Sequence, residues 1–161
     1  MGSTVFPAPS AGGKTMFRTT LTSGTSYTVP ANVTYLNVTL VGGGGGAAGG
    51  TSGSLNAQGG PGETISSTLS ATAGNSIAYA IGAGGAGGAT DGAGSVGGTT
   101  TFTGATSASG GTLGGVGPTA TASGRASNAN NGGISGPRSI GYGPGAGGAG
   151  GGGFIIVEYW A

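Results

Sequence analysis

The seven charged side chains of this 161-residue sequence are its main material for acid–base chemistry. Histidine and cysteine are absent, which removes the usual general base, the thiol nucleophile and the commonest zinc ligands. The three carboxylates, Glu63, Asp91 and Glu158, lie far apart in sequence. We expect Glu158 to face solvent or to pair with Arg18 on a neighbouring strand. The sequence therefore predicts a protein that is not an enzyme and holds no metal or cofactor.

Two short motifs resemble phosphate-binding loops. Residues 82–87 satisfy G-x-G-x-x-G after a strand-like segment, but the glycine-rich residues 88–98 cannot form the helix whose N-terminus would hold a pyrophosphate. The sequence GKT at 13–15 resembles the end of a P-loop, but Ala8 stands where the first glycine belongs. Both matches are expected by chance in a glycine-rich chain, so we predict no nucleotide binding.

The best candidates for binding are polar residues in and around the segment 126–137. Amides and guanidinium groups on an exposed loop stiffened by glycine are suited to hydrogen-bonding sugars or polar protein loops, and a tyrosine offers a stacking face. The alternative is a solvated loop with incidental charge. The candidate receptor-contact residues are Arg125, Asn128, Asn130, Asn131, Arg138 and Tyr142.

Short strands must position these groups, because glycine interrupts nearly every window of helical length. The turn dipeptide Gly74-Asn75 predicts a β-hairpin between two of the strands. The last strand is nearly all apolar, so we expect it to be buried on both faces and to pair centrally, beside residues 34–41. Strands are predicted at 15–21, 25–29, 34–41, 63–70, 76–81, 98–103 and 154–160.

The predicted fold class is all-β: a small, jelly-roll-like β-sandwich of about seven short strands, with glycine-rich tracts inserted between strands. The sandwich is expected over residues 15–161, after an extended N-terminal arm at 1–14. The 44 glycines concentrate in the tracts, where alanine recurs at every third residue over 82–89. Three residues per turn is the repeat of a polyproline-II-type helix. The glycine tracts have three possible interpretations: ordered polyglycine-II helices bonded to one another, flexible loops, or collagen.

Composition argues for association and against two classes of partner. Leu, Ile, Val and Phe make up only 25 of the 161 residues, a thin core of the kind that oligomerisation commonly supplements. The four basic residues are scattered, which argues against nucleic acid. No apolar run approaches the length that spans a bilayer, so we predict no membrane insertion.

Seven pieces of the sequence, taken in order, carry a family resemblance: Phe17, 22–30 (TSGTSYTVP), 33–46 (VTYLNVTLVGGGGG), 72–88 (TAGNSIAYAIGAGGAGG), 98–102 (GTTTF), 109–115 (SGGTLGG) and 152–159 (GGFIIVEY). Together they are similar to the glycine-rich domain of many bacteriophage tail and fibre proteins. The resemblance implies a virion surface protein, assembled in the host cytoplasm and exposed on the particle at a tail-fibre tip or another receptor-binding position. Polyglycine-II bundles are known in fibre-tip adhesins, where loops between the glycine helices contact the receptor.

The same resemblance implies the partners. Phage fibres are three-fold, so a homotrimer is expected, joined to other virion proteins through the N-terminal arm. The receptor would be a host surface glycan or an outer-membrane protein. A structural capsid decoration protein is the alternative. An ice-binding protein is a remote one, which a flat, regular Ala/Thr face on the tracts would favour.

Overall fold

The computed structural model describes residues 14–50, 57–115 and 146–161, so the predicted arm lies outside it except for Lys14. The described residues contain seven strands and no helix, which confirms the all-β prediction. The strands are β1 Met16–Leu21, β2 Ser26–Thr28, β3 Tyr35–Val41, β4 Thr64–Ser70, β5 Ser76–Ala80, β6 Thr101–Phe102 and β7 Phe154–Trp160.

The strands form two antiparallel sheets that enclose one core. One sheet has the order β1-β7-β3-β4 and the other the order β2-β5-β6, so β7 pairs beside β3 as predicted. Alternate side chains of β3 and β7 point inward, and the two sheets meet in a cluster that includes Phe102, with Tyr27 and Tyr79 beside it. The buried residues of β3 and β7 are Leu36, Val38, Leu40, Ile155 and Val157.

Two predictions about individual strands are wrong. The turn at residues 72–75 exists, with Gly74 at φ 82°, but it does not close a hairpin, because β4 pairs with β3 while β5 pairs with β2 and β6. The inward side chains of β4 and β5 approach the same core from opposite sheets, so the chain crosses between sheets here. Burial of β7 on both faces is also wrong: its outer side chains are half-buried, and Trp160 is 44% exposed.

The glycine-rich segments form an ordered bundle at the end of the sandwich where β3 ends and β7 begins. The backbone N–H groups of residues 42–49 donate in turn to three neighbouring segments, and each neighbour is reached again after three residues. This is the repeat expected for polyglycine-II packing, and it excludes flexible loops for these residues. We number the segments as tract 1 (42–50), tract 2 (57–62), tract 3 (82–89), tract 4 (92–98), tract 5 (109–115) and tract 6 (146–153).

Tract 1 is the centre of the bundle. Its N–H groups reach tracts 2, 4 and 6, and its carbonyl oxygens accept from tracts 3 and 5. Along tract 1 the residue numbers of the bonded partners rise in tracts 3 and 5 and fall in tracts 2, 4 and 6. Tracts 1, 3 and 5 therefore run away from the sandwich, and tracts 2, 4 and 6 return to it. Further bonds join the outer tracts in the order 2-5-4-3-6 around tract 1. The bonds between these neighbours are Gly60 N–H to Thr112 O, Gly97 N–H to Gly111 O, Gly98 N–H to Ala83 O and Gly150 N–H to Gly85 O.

Glycine is required where one tract faces the backbone of the next. A Cβ on Gly43 would lie 2.7 Å from the carbonyl carbon of Ala83, and one on Gly45 would lie 2.6 Å from that of Thr112. Both separations are shorter than van der Waals contact. In tracts 3 and 6 alanine occurs where the position faces outward, and these exposed residues at every third position confirm the predicted alanine edges: Ala83, Ala86, Ala89, Ala146 and Ala149.

Candidate functional site

The end of the bundle farthest from the sandwich gathers the connections between tracts. Gly88 of tract 3 donates to the carbonyl oxygen of Ala47, and Gly49 of tract 1 donates to that of Gly92. These bonds place the turn at residues 90–91 beside the last residues of tract 1. Tract 2 begins at the same level, since the Ala48 N–H donates to Ala57 O.

The predicted receptor-contact residues lie outside the described residues. The tracts on either side of their segment in the sequence, tract 5 before it and tract 6 after it, are described. Gly114 of tract 5 donates to the carbonyl oxygen of Gly46, and the Ala47 N–H donates to that of Gly148 in tract 6. Tract 5 therefore ends, and tract 6 begins, at the outer end of the bundle. The residues concerned are Arg125, Asn128, Asn130, Asn131, Arg138 and Tyr142.

The three carboxylates do not form an acid–base pair. Glu158 lies 3.6 Å from the Arg18 guanidinium, which is one of the two arrangements that the sequence predicted. Glu63 accepts a hydrogen bond of 3.0 Å from the Ser109 N–H, where tracts 2 and 5 meet the sandwich. Asp91 lies in the turn at the opposite end of the bundle and makes further interactions of its own. Each carboxylate thus belongs to a different part of the molecule.

The junction between sandwich and bundle depends on a buried hydroxyl. Thr100 is fully buried; its Oγ1 donates to the carbonyl oxygen of Val41 at 2.7 Å and accepts from the Gly82 N–H at 3.0 Å. Val41 ends β3 before tract 1, and Gly82 begins tract 3 after β5. A single side chain therefore satisfies two backbone groups at the points where two strands become glycine tracts.

One tyrosine of the core is electrostatically unusual. Tyr27 is buried between the sheets, and within the described part of the chain its hydroxyl has no hydrogen-bond partner. Burial, with a smaller contribution from Tyr159, raises the pKa of Tyr27 above 10.0. The neutral phenol is therefore the form that the core accommodates.

Sequence reasoning missed the outer face of the four-stranded sheet as a candidate site. Its side chains are those that alternate with the core residues, and three large ones lie in one row across neighbouring strands. Met16 pairs directly with Trp160 in the register of β1 and β7, and extending the register of β7 and β3 by two residues places Tyr35 beside Trp160. Tyr35 is 61% exposed and Met16 53%. The alternation within β3 indicates this position, because Tyr35 lies on the opposite face of the strand from the buried Leu36 and Val38.

The next row on the same face is polar. It runs from Arg18 through Glu158 and Asn37 to Thr68, and the Thr68 hydroxyl donates to Asn37 Oδ1 at 2.8 Å. In the following row the hydroxyls of Thr39 and Ser66 lie 2.9 Å apart. A shallow groove of about 290 Å³ follows β3 and β4 beside Glu158 and is lined on this face by Asn37, Thr39, Ser66 and Thr68.

The described residues hold no cluster of three or more side chains suited to a metal ion. Within the same ranges no helix is long or apolar enough to cross a bilayer.

The fold and the bundle together define a β-sandwich that carries a polyglycine-II bundle at one end. A family model described as a glycine-rich domain matches residues 19–160, so the chain belongs to the glycine-rich domain family. A comparison with curated proteins finds no match.

Proposed function

We propose that this protein is a non-enzymatic bacteriophage surface protein that binds a receptor through the outer end of its glycine bundle. The observation that supports the proposal is the alternating direction of the six tracts. It brings the last residues of tracts 1 and 5, the first residues of tracts 2 and 6, and the turn at 90–91 to one level of the bundle. Rigid elements that present several connections at one end are a common architecture for recognition.

The bundle supplies rigidity that the thin core does not. Every N–H of residues 42–49 donates to a neighbouring backbone carbonyl, so the central tract is tied along its length and the ends of the connections are fixed relative to one another. Preorganised ends lower the ordering cost of binding. The resemblance to phage tail and fibre proteins adds the setting: a virion, with the N-terminal arm attached to other virion proteins and the chain assembled as a homotrimer.

The test is binding of the fluorescently labelled protein to intact cells from a panel of bacterial strains, measured by flow cytometry. We expect one or more strains to bind it, and a variant with serine at Arg125, Asn128, Arg138 and Tyr142 to lose binding. Val96→Ser is the control, because Val96 is an exposed side chain on the flank of tract 4. Equal binding by both variants, or binding to no strain, would contradict the proposal. The second outcome would favour the decoration protein.

A second candidate function is ice binding, and one observation favours it. Tracts 3 and 6 are neighbours, joined by the bonds from Gly147 and Gly150 to Gly88 and Gly85, and both expose alanine at every third residue. Regularly spaced, exposed alanines on two neighbouring tracts are a feature that ice binding would use. Thermal hysteresis of the purified protein, lost on replacing Ala86 with lysine, would support this function, and its absence would reject it.

A further inference from the structure

The outer face of the four-stranded sheet combines two kinds of side chain. Trp160 and Tyr35 lie at the end of the sheet away from the bundle and expose 44% and 61% of their surfaces. Large apolar side chains are normally buried, and exposed aromatic pairs on one face are typical of binding surfaces. Neither ring is used by the core, which β3 and β7 supply through the opposite face.

The surface beside the two rings is polar and formed by small side chains. Hydroxyl and amide groups of Asn37, Thr39, Ser66 and Thr68 line the groove of about 290 Å³. These groups bond to one another in pairs, which leaves further lone pairs and amide hydrogens directed to solvent. A groove of this composition binds a ligand through several hydrogen bonds and offers no apolar pocket for a protein side chain.

The charges beside the groove cancel. Arg18 and Glu158 form an ion pair across β1 and β7, and the other groove residues carry no charge. A nucleic acid or another polyanion requires net positive charge, which this face does not supply. The ligand that fits is uncharged, carries many hydroxyl groups, and has an apolar face that stacks on aromatic rings.

We propose that this face binds a neutral oligosaccharide. One or two sugar rings stack on Trp160 and Tyr35, as apolar faces pack on aromatic side chains, and the hydroxyls of the following sugars bond to Asn37, Thr68 and the Glu158 carboxylate along the groove. The site is separate from the outer end of the bundle and makes the protein a carbohydrate-binding module in its own right.

Trp160 is the only tryptophan of the chain, so its fluorescence reports on this face alone. The full-length protein is titrated with cellohexaose, maltohexaose and N-acetylated chitohexaose, with an oligogalacturonate as the charged comparison. We expect at least one neutral hexaose to shift Trp160 emission saturably, with the oligogalacturonate weaker. Tyr35→Ala is expected to weaken that binding about tenfold, the loss of one ring contact, and Tyr35→Phe to restore most of it.

Val96→Ala is the matched control, because it removes an exposed side chain from the bundle, away from the sheet, and is expected to leave the affinity unchanged. Circular dichroism of each variant checks that the fold is retained. An emission shift with none of the neutral hexaoses would overturn the proposal. So would tighter binding of the oligogalacturonate, or equal affinity for Tyr35→Ala and the unaltered protein. Self-association that Tyr35→Ala abolishes, without saccharide binding, would assign the face to a second copy instead.

Discussion

Replacing Gly46 with alanine tests whether close backbone packing holds the bundle together. Gly46 lies in the middle of tract 1, donates to Ser95 O at 2.8 Å and accepts from the Gly114 N–H at 2.8 Å. A Cβ at this position would lie 2.5 Å from the carbonyl carbon of Ala86 in tract 3 and closer still to its oxygen. Ordinary contact begins at 3.4 Å, so tract 3 must retreat by at least about 0.9 Å (3.4 − 2.5) to clear the carbonyl carbon, and further to clear the oxygen.

That retreat lengthens the two bonds by which tract 3 is joined to tract 1. The Gly85 N–H lies 2.8 Å from Gly44 O, and the Gly88 N–H lies 2.9 Å from Ala47 O. Adding the minimum retreat takes them to at least about 3.7 and 3.8 Å, beyond hydrogen-bond distance. Two buried bonds lost at roughly 1–2 kcal/mol each, with an overpacking cost of about 1 kcal/mol, give about 4 kcal/mol. In a chain of this length the melting temperature should fall by about 8–16 °C.

The assay is thermal and urea denaturation followed by circular dichroism, with Gly148→Ala as the control. A Cβ at Gly148 meets nothing within 4 Å, and its φ lies outside the left-handed region. The control should therefore be neutral or gain about 0.4–1 kcal/mol by restricting the unfolded chain. If Gly46→Ala unfolds within about 1 kcal/mol of the control, tract 3 does not pack against tract 1 as described.

Three further predictions concern the sandwich and its junction with the bundle. Thr100→Val should cost about 2–4 kcal/mol in urea unfolding, because two buried backbone groups lose their partner, whereas Thr100→Ser should stay within about 1 kcal/mol; equal losses would contradict the bridging role. Tyr27→Phe should not destabilise the protein, since it removes an unpartnered buried hydroxyl. Because the folded-state pKa of Tyr27 is raised, this phenol ionises first in the unfolded chain, so its ionisation does not lower stability below pH 10 but does so as pH rises from there through the folded-state value; the variant should show a smaller loss of stability above pH 10. Arg18→Ala should change stability by less than about 1 kcal/mol, because its ion pair is exposed; a larger loss would indicate a structural role for the pair.

Much of the fold is predictable from the sequence because its signals are local. Alternation fixes which residues of β3 enter the core, and the three-residue spacing of alanine in tract 3 indicates which edge faces outward. The pairing of β4 and β5 is not local. The dipeptide Gly74-Asn75 specifies a turn of the backbone, but whether that turn stays within a sheet depends on where the apolar faces of both strands find partners.

The candidate sites differ in how well the sequence predicts them. The gathering of the connections at one end of the bundle can be deduced only when all six tracts are known to alternate in direction. No single segment of the sequence contains that information. The row formed by Met16, Trp160 and Tyr35 joins residues from both ends of the chain. Its assembly depends on β7 pairing with β1 and β3 together, so strand register was needed to bring these side chains to one face.

Amide hydrogen exchange, read residue by residue by NMR, tests the ordered bundle most directly. The backbone bonds predict continuous protection over residues 43–49, because every N–H of these residues donates to a neighbouring tract. In tract 3 they predict protection at Gly82, Gly85 and Gly88, with faster exchange at the alanines between them. Uniformly fast exchange across both tracts, alongside protected amides in β3, would contradict the polyglycine-II bundle.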